Sequence, residues 1–538
     1  MKKISILMLL ASLISCNKKV MVDLIVTNAQ IYTVDENFNS AESFAVKDGK
    51  FIAVGSSVDI LSKYDAENII NAEGKTIVPG LIDAHCHFYG LGLQQQKVDL
   101  TGTASFDEVI ERIIAFQQEK NVSYITGRGW DQNDWELKEF PTKERLDELF
   151  PTTPIAITRI DGHALLANQA AIDLAGVTVN TPESGGFIIK KNGNLTGVFI
   201  DNPMELIEAK IPLNTKQEQI NALINAEKIC FQNGLTTVVD AGLNRDVIEL
   251  MDEMHQKNQL KIRIDAMVSA TEKNLEYYIN KGIIKTEKLH VHSFKYYADG
   301  ALGSRGACLK ESYSDKKNYF GALVNTLENF HKTADKIFKS AYQMNTHAIG
   351  DSANYVVLKK YSELLNNSKE RRWRVEHAQV VDLKDFNYFK NIIPSVQPTH
   401  ATSDMYWAKD RLGVHRIKGA YAYKNLLKQY GKIPLGTDFP IEQVNPLLTF
   451  YAAVVRKDLN NYPENGFQTE NALSREEALR GMTIWAAYAS FEENEKGSIE
   501  AGKVADFVFL DADLMKIVDT GIPKIKVLQT FVGGQKVF

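Results

Sequence analysis

The sequence predicts an α/β protein: a (β/α)8 TIM barrel with a large insertion after its first strand, plus a small β-sandwich domain built from both chain ends. Three observations predict it. Short apolar runs alternate with helical stretches through the middle of the chain, turn-punctuated strands of alternating polarity occupy both ends, and several central strands terminate in His or Asp.

A chain of 538 residues is too long for one ordinary compact domain but suits a barrel with an insertion and a smaller unit. Hydrophobic residues at 44% and charged residues at 24% supply a large core and imply no long disordered region. The net charge of −5, with no Lys/Arg block beyond Lys18-Lys19, argues against nucleic acid as a partner.

The N-terminus reads as a signal peptide. Lys2 and Lys3 precede an apolar run, Ile4 to Leu13, that is too short to span a bilayer as a helix. It ends Leu13-Ile14-Ser15-Cys16, which resembles a bacterial lipobox and implies lipidation at Cys16. The expectation is an exported lipoprotein of the bacterial cell envelope, membrane-anchored and facing the periplasm or the exterior; plain secretion and a chance apolar start are the alternatives. Residues 1–19 are assigned to this segment. Cys86, Cys230 and Cys308 are too scattered for a disulfide framework and read as buried thiols, with one bridge left open.

Residues 20–75 and 495–538 carry the sandwich pattern, as in Phe51-Ile52-Ala53-Val54 and Asp506-Phe507-Val508-Phe509-Leu510, and chain ends commonly lie close. Residues 76–494 carry the barrel. Its expected strands are Gly80 to His85, Leu235 to Asp240, Lys261 to Val268, Val291 to Tyr296, Gln343 to His347, Trp373 to His377, Ile393 to Gln397 and Ile433 to Thr437. The insertion, about 101–230, interrupts this rhythm and is expected over the catalytic face.

Chemistry concentrates at the strand ends. In Pro79-Gly80-Leu81-Ile82-Asp83-Ala84-His85-Cys86-His87 the two histidines share a strand face, so they can grip one ion. His347 and His377 end two further strands and Asp438 follows a fourth. Because barrel active sites lie at C-terminal strand ends, 11 histidines placed by chance would seldom give this pattern. Imidazole and carboxylate suit zinc and similar divalent ions. Lys295 points into the same space. A bare ammonium beside metal ions is repelled, which leaves a modified or a displaced lysine; a carboxylated lysine solves the problem because its added carboxylate can bridge two metals.

This set resembles the amidohydrolase superfamily, and within it the YtcJ-like branch. The resemblance covers nearly all of the chain past the signal, including Gly234 to Ala241, Phe294 to Arg305, Gly436-Thr437-Asp438 and Lys496 to Asp506, with Gly127-Arg128-Gly129-Trp130-Asp131 and Asp161-Gly162-His163 in the insertion. It implies that His85, His87 and Asp438 hold one metal, that His347 and His377 hold the other, and that carboxylated Lys295 bridges them with a hydroxide. Two zinc ions are implied, with one metal, or manganese or iron, as alternatives.

The expected activity is hydrolysis of a non-peptide C–N bond of a small molecule by a metal-bound hydroxide, with Asp438 orienting it and relaying its proton to the departing amine. Ester, lactone, carbamate or phosphoester hydrolysis on the same site is the alternative, as is a lipid-anchored protein that binds without turnover. His163 is a second catalytic residue, polarising the carbonyl oxygen, or an ordinary loop histidine. Trp130, Tyr297 and His400 are expected to bind substrate, with Trp135, Tyr296 and Trp407 as pocket walls or core. Asp299 and Arg305 read as substrate contacts or as structural groups. His255, His290, His292, His331 and His415 lack a strand-end placement and read as solvated or packed. Oligomeric state stays open, a homo-oligomer included.

Overall fold

The computed structural model describes residues 19–538 apart from 161, 163, 184 and 185. The expected signal segment through Lys18, the lipidation position Cys16 and the catalytic expectation His163 lie outside them. The chain falls into two compact units, Phe88–Ala226 and the remainder.

The larger unit contains seven parallel strands hydrogen-bonded in chain order: Leu81–Cys86, Leu235–Leu243, Arg263–Ser269, Leu289–Tyr297, Gln343–Ala348, Arg374–His377 and Ile393–Ser395. They are buried on both faces, so the polar side chains they carry are buried with the apolar ones. Helices intervene, each with an apolar stripe. Leu327–Phe338, for example, buries Phe330, Ala334 and Ile337 at helical spacing, and the Thr326 side chain caps it by accepting from the Asn329 N–H.

The eighth expected strand, Ile433 to Thr437, is corrected to an extended segment with a single bridge, Leu435 to Val396. Pro434 offers no N–H to a ladder, and Leu435 N–H is diverted to Gly481 O at 2.9 Å. The segment still closes the ring. Gly436 N–H donates to Val396 O at 3.0 Å on one side, and Asp438 N–H donates to His85 O at 2.8 Å on the other. The result is a TIM-barrel-like α/β fold.

The N-terminal end builds one further sheet and shares a second with the C-terminal end. One contains Leu24–Thr27, Ser43–Lys47, Lys50–Gly55 and Ile69–Asn71; the other joins Gln30–Tyr32, Ser40–Ala41 and Thr76–Pro79 to Phe507–Leu510, Val527–Val532 and Gln535–Lys536. Phe44 and Phe51 of the first share an apolar cluster with Ile31, Ile77, Phe507 and Phe531 of the second. Thr76–Pro79, placed with the barrel by the sequence, pairs with Phe507–Leu510 in the second of these sheets. The chain crosses to the barrel at Gly80, where a Cβ would lie 2.2 Å from Thr236 Oγ1.

The unit Phe88–Ala226 has its own six-stranded mixed sheet, in the order Val98–Asp99, Ile125–Trp130, Ile155–Arg159, Ala164–Ala167, Asn194–Asp201, Gly186–Lys191. Trp130 corrects the expectation of a substrate contact: it is fully buried with Ile113, Trp135, Ile157 and Leu166, and its indole N–H donates to Ile157 O at 3.0 Å. Trp135 is core as well, donating to Thr103 O. Cys86, Cys230 and Cys308 are free thiols. Among the described residues no helix is long and apolar enough to cross a membrane.

Candidate metal centre

His85 and His87 leave the first strand on one face, and their outward nitrogens fix what the inward ones can do. His85 Nδ1 lies 2.5 Å from Glu376 Oε2, and His87 Nδ1 lies 3.0 Å from Ala241 O. A carboxylate and a carbonyl only accept, so each Nδ1 carries the proton and each Nε2 presents a lone pair. Burial first, then the neighbouring Lys295, pushes His85 down to about 4, which keeps its ring neutral. Glu376 is buried too, yet the Arg374 guanidinium and His85 bring it down to about 2. Arg374 is held in turn by Ala84 O at 2.6 Å and Ser395 Oγ at 2.8 Å.

Asp438 faces both lone pairs: its Oδ1 lies 3.2 Å from His87 Nε2 and 3.6 Å from His85 Nε2. Asp83 sets its position. This buried carboxyl accepts from Thr437 Oγ1 at 2.7 Å and from His85 N–H at 3.1 Å, tying the first strand to the segment that carries Asp438. Burial raises Asp83 to about 7 against those donors. Asp438 Oδ2 is 3.2 Å from His400 Nε2, and His400 Nδ1 is 3.0 Å from Glu442 Oε1. Burial opposes charge on both partners, but hydrogen bonding wins: His400 is raised to about 10, and Asp438 is held well below the ordinary carboxylate range.

Lys295 Nζ comes within 3.1 Å of His85 Nε2. Burial pulls its pKa down to about 8 although Glu376 and Asp438 favour the ammonium. His347 and His377 complete the cluster with ring centroids 4.5 Å apart, and His377 lies 5.0 Å from His85. Burial pushes both downward. His347 Nε2 and His377 Nδ1 are buried without a hydrogen-bond partner among the described residues. His377 and Asp438 also hold left-handed backbones, φ 71° and 65°, each at a cost of about 1–2 kcal/mol.

These residues fit a divalent cation. Ligand-type atoms of His85, His87 and Asp438 lie within 4.8 Å of one another, as do those of His377, His400 and Asp438, and the orphaned imidazole nitrogens are of the kind a metal occupies.

The six expected ligands therefore come together. Tyr297 stands beside them, 38% exposed, with its ring 4.8 Å from Lys295 Nζ and 5.6 Å from the His347 ring. Tyr296 points to a helix, its hydroxyl donating to Asn329 Oδ1. Asp299 is structural, accepting from the N–H groups of Cys308, Ile349 and Gly350 and so shaping the turn after His347; Arg305 pairs with Asp315. Sequence reasoning missed Asp83, Arg374, Glu376 and Glu442. The signal available was charge on otherwise apolar strands: Asp83 is two residues before His85, and Arg374 and Glu376 share one face of the strand ending at His377.

The Amidohydrolase family model matches residues 68–538, so the chain belongs to that family. It is a metal-dependent hydrolase. It is 33% identical to Protein LONG AFTER FAR-RED 3 of Arabidopsis thaliana, covering 96% of this chain and 92% of that protein. It is 31% identical to YtcJ of Bacillus subtilis (strain 168), covering 94% and 98%. With the N-substituted formamide deformylase of Arthrobacter pascens the identity is 25%, over 95% and 97%. Among solved structures, an uncharacterized metal-dependent hydrolase from Pyrococcus horikoshii superposes with a TM-score of 0.78 at 27% identity, covering 92% of this chain and 99% of that one.

Proposed function

We propose that the protein hydrolyses a non-peptide C–N bond of a small molecule, with His85, His87, Lys295, His347, His377 and Asp438 holding two divalent ions, zinc by preference. The observation that carries this reading is the convergence of the His85 and His87 Nε2 lone pairs on Asp438 Oδ1, within 3.6 Å. A metal bound there supplies a Lewis acid for a carbonyl oxygen and lowers the pKa of water toward neutrality.

The chain's own residues do the rest. Asp438 stays ionised because His400 donates to its Oδ2, and as a carboxylate it can take a proton from the attacking water. Returned to the departing nitrogen, that proton makes an amine the leaving group, general acid–base work of about 10²–10⁴-fold. Lys295, with its depressed pKa, has a larger neutral fraction than an ordinary lysine, and a neutral amine is what adds to carbon dioxide, losing a proton, to give a carbamate that would serve as a metal ligand. Tyr297 and His400 line the substrate side. The choice of a C–N bond draws on the deformylase relative, whose name specifies an N-substituted formamide. The export expectation is carried as part of this proposal: lipid label should enter the wild-type chain and not Cys16→Ser.

The test is a panel of N-formyl and N-acyl amides beside matched esters and lactones, assayed before and after chelation and after zinc or manganese is restored. Amide turnover lost on chelation and regained with metal is the expected result. Turnover confined to esters would overturn the bond assignment. Turnover unchanged in Asp438→Ala would overturn the site.

A further inference from the structure

A second group of ligand-type side chains sits at the opposite end of the same strands. Asp265 is the third residue of Arg263–Ser269, and His290 and His292 are the second and fourth residues of Leu289–Tyr297. At about 3.3 Å per residue, the three steps from His292 to Lys295 put this group roughly 10 Å along the strand from the centre described above. The spacing of His290 and His292 repeats that of His85 and His87, but at the start of a strand.

The geometry is close. His292 Nε2 lies 3.0 Å from Asp265 Oδ2, and the two imidazole centroids are 4.1 Å apart. The segment after the last barrel helix, Ile484–Ala489, brings up Glu492, whose Oε1 is 3.7 Å from His290 Nδ1. Ligand-type atoms of Asp265, His290 and His292 all lie within 4.8 Å of one another. The four residues are between 1% and 8% exposed.

A salt bridge alone leaves this cluster unexplained. The Asp265–His292 pair uses one carboxylate oxygen and one imidazole nitrogen, while Asp265 Oδ1, His290 Nδ1 and His292 Nδ1 remain buried with no hydrogen-bond partner among the described residues. An unsatisfied buried polar atom costs about 1–3 kcal/mol, and all three belong to residues whose ligand-type atoms cluster within 4.8 Å. Burial and the adjacent His292 push His290 down to about 3, so it is a neutral imidazole with a free lone pair.

We propose that Asp265, His290, His292 and Glu492 form a structural site for one divalent cation of the zinc type, separate from the hydrolytic centre. Carboxylate oxygen and imidazole nitrogen are donor types that zinc takes, and these four residues offer two of each. Glu492 also pairs with Lys496 through Oε2 and with Lys285 through Oε1, so an ion held by Oε1 displaces Lys285, which keeps a partner in Glu495 at 3.1 Å. The ion would pin the third and fourth strands to the segment that follows the last barrel helix.

The experiment measures zinc per chain by elemental analysis in the full-length protein, purified with zinc chloride and dialysed, beside His290→Gln and Asp265→Asn. Each variant should lose one equivalent of zinc. It should keep the metal that chelation removes together with hydrolysis, so failure here is distinguishable from failure of the hydrolytic reading. Unchanged zinc content in a folded variant overturns the site. Zinc-edge anomalous scattering from crystals of the unsubstituted protein answers the same question without variants: a peak between Asp265 and His290 supports the site, and none there overturns it.

Discussion

Glu376 Oε2 sits 2.5 Å from His85 Nδ1, and this one contact decides which nitrogen His85 offers to a metal. The carboxylate is itself clamped by Arg374, at 2.6 Å from the guanidinium Nε to Oε1, and all three side chains are fully buried. Glu376→Gln keeps an acceptor for His85 but removes its charge, and it leaves Arg374 without an ionic partner. Losing an outer partner of a metal-ligating histidine typically costs 10–100-fold in metal affinity. The expected outcome is a roughly 10–100-fold weaker zinc affinity, read by competition with a chromophoric chelator, with secondary structure retained by circular dichroism.

Gly436 packs against the first strand with no room for a side chain. A Cβ there would lie 2.5 Å from His85 N and 2.7 Å from His85 O, backbone atoms that cannot turn aside. Gly436→Ala must move His85 relative to Asp438, and overpacking of this kind costs about 1–3 kcal/mol. Gly55→Ala is the control, since nothing lies within 4 Å of its added methyl. Thermal melts should show a clear fall for the first and a shift within about 0.5 kcal/mol for the second, with metal content reduced only in the first.

What could be read from the sequence was what is local. The shared face of His85 and His87 follows from strand period, and His347, His377 and Asp438 were visible because each ends or follows an expected barrel strand. The partners that fix those ligands were not visible. Glu376 meets His85 across 291 residues and Asp83 meets Thr437 across 354, contacts that exist only once the ring closes. The irregular eighth segment escaped because Ile433 to Thr437 has a strand's apolarity while its hydrogen bonds go to three different partners. Trp130 misled for a related reason: an indole next to Gly-Arg-Gly looks like a pocket wall, and its burial depends on strands and helices far along the chain.

That burial makes Trp130 a test of the Phe88–Ala226 unit. Trp130→Ala removes a fully buried indole and its hydrogen bond to Ile157 O, and large-to-small changes of this kind cost about 3–5 kcal/mol. The expected result is faster limited proteolysis at sites between residues 88 and 226. Cleavage there at the wild-type rate, with weakened substrate binding, would restore the role expected from sequence.

His255 offers a pH test away from the metal centre. Its Nε2 lies 3.0 Å from Ile262 O, and burial lowers its pKa from 6.5 to about 4. The folded state therefore binds fewer protons than the unfolded chain between those values, so stability rises with pH across the window. The contribution is fully present above pH 6.5 and is lost as pH falls toward 4, a change of roughly 1–3 kcal/mol. His255→Gln has no group to titrate there. Chemical denaturation at intervals from pH 7 to pH 4 should show the wild type losing more stability than the variant, and parallel profiles would refute the assignment.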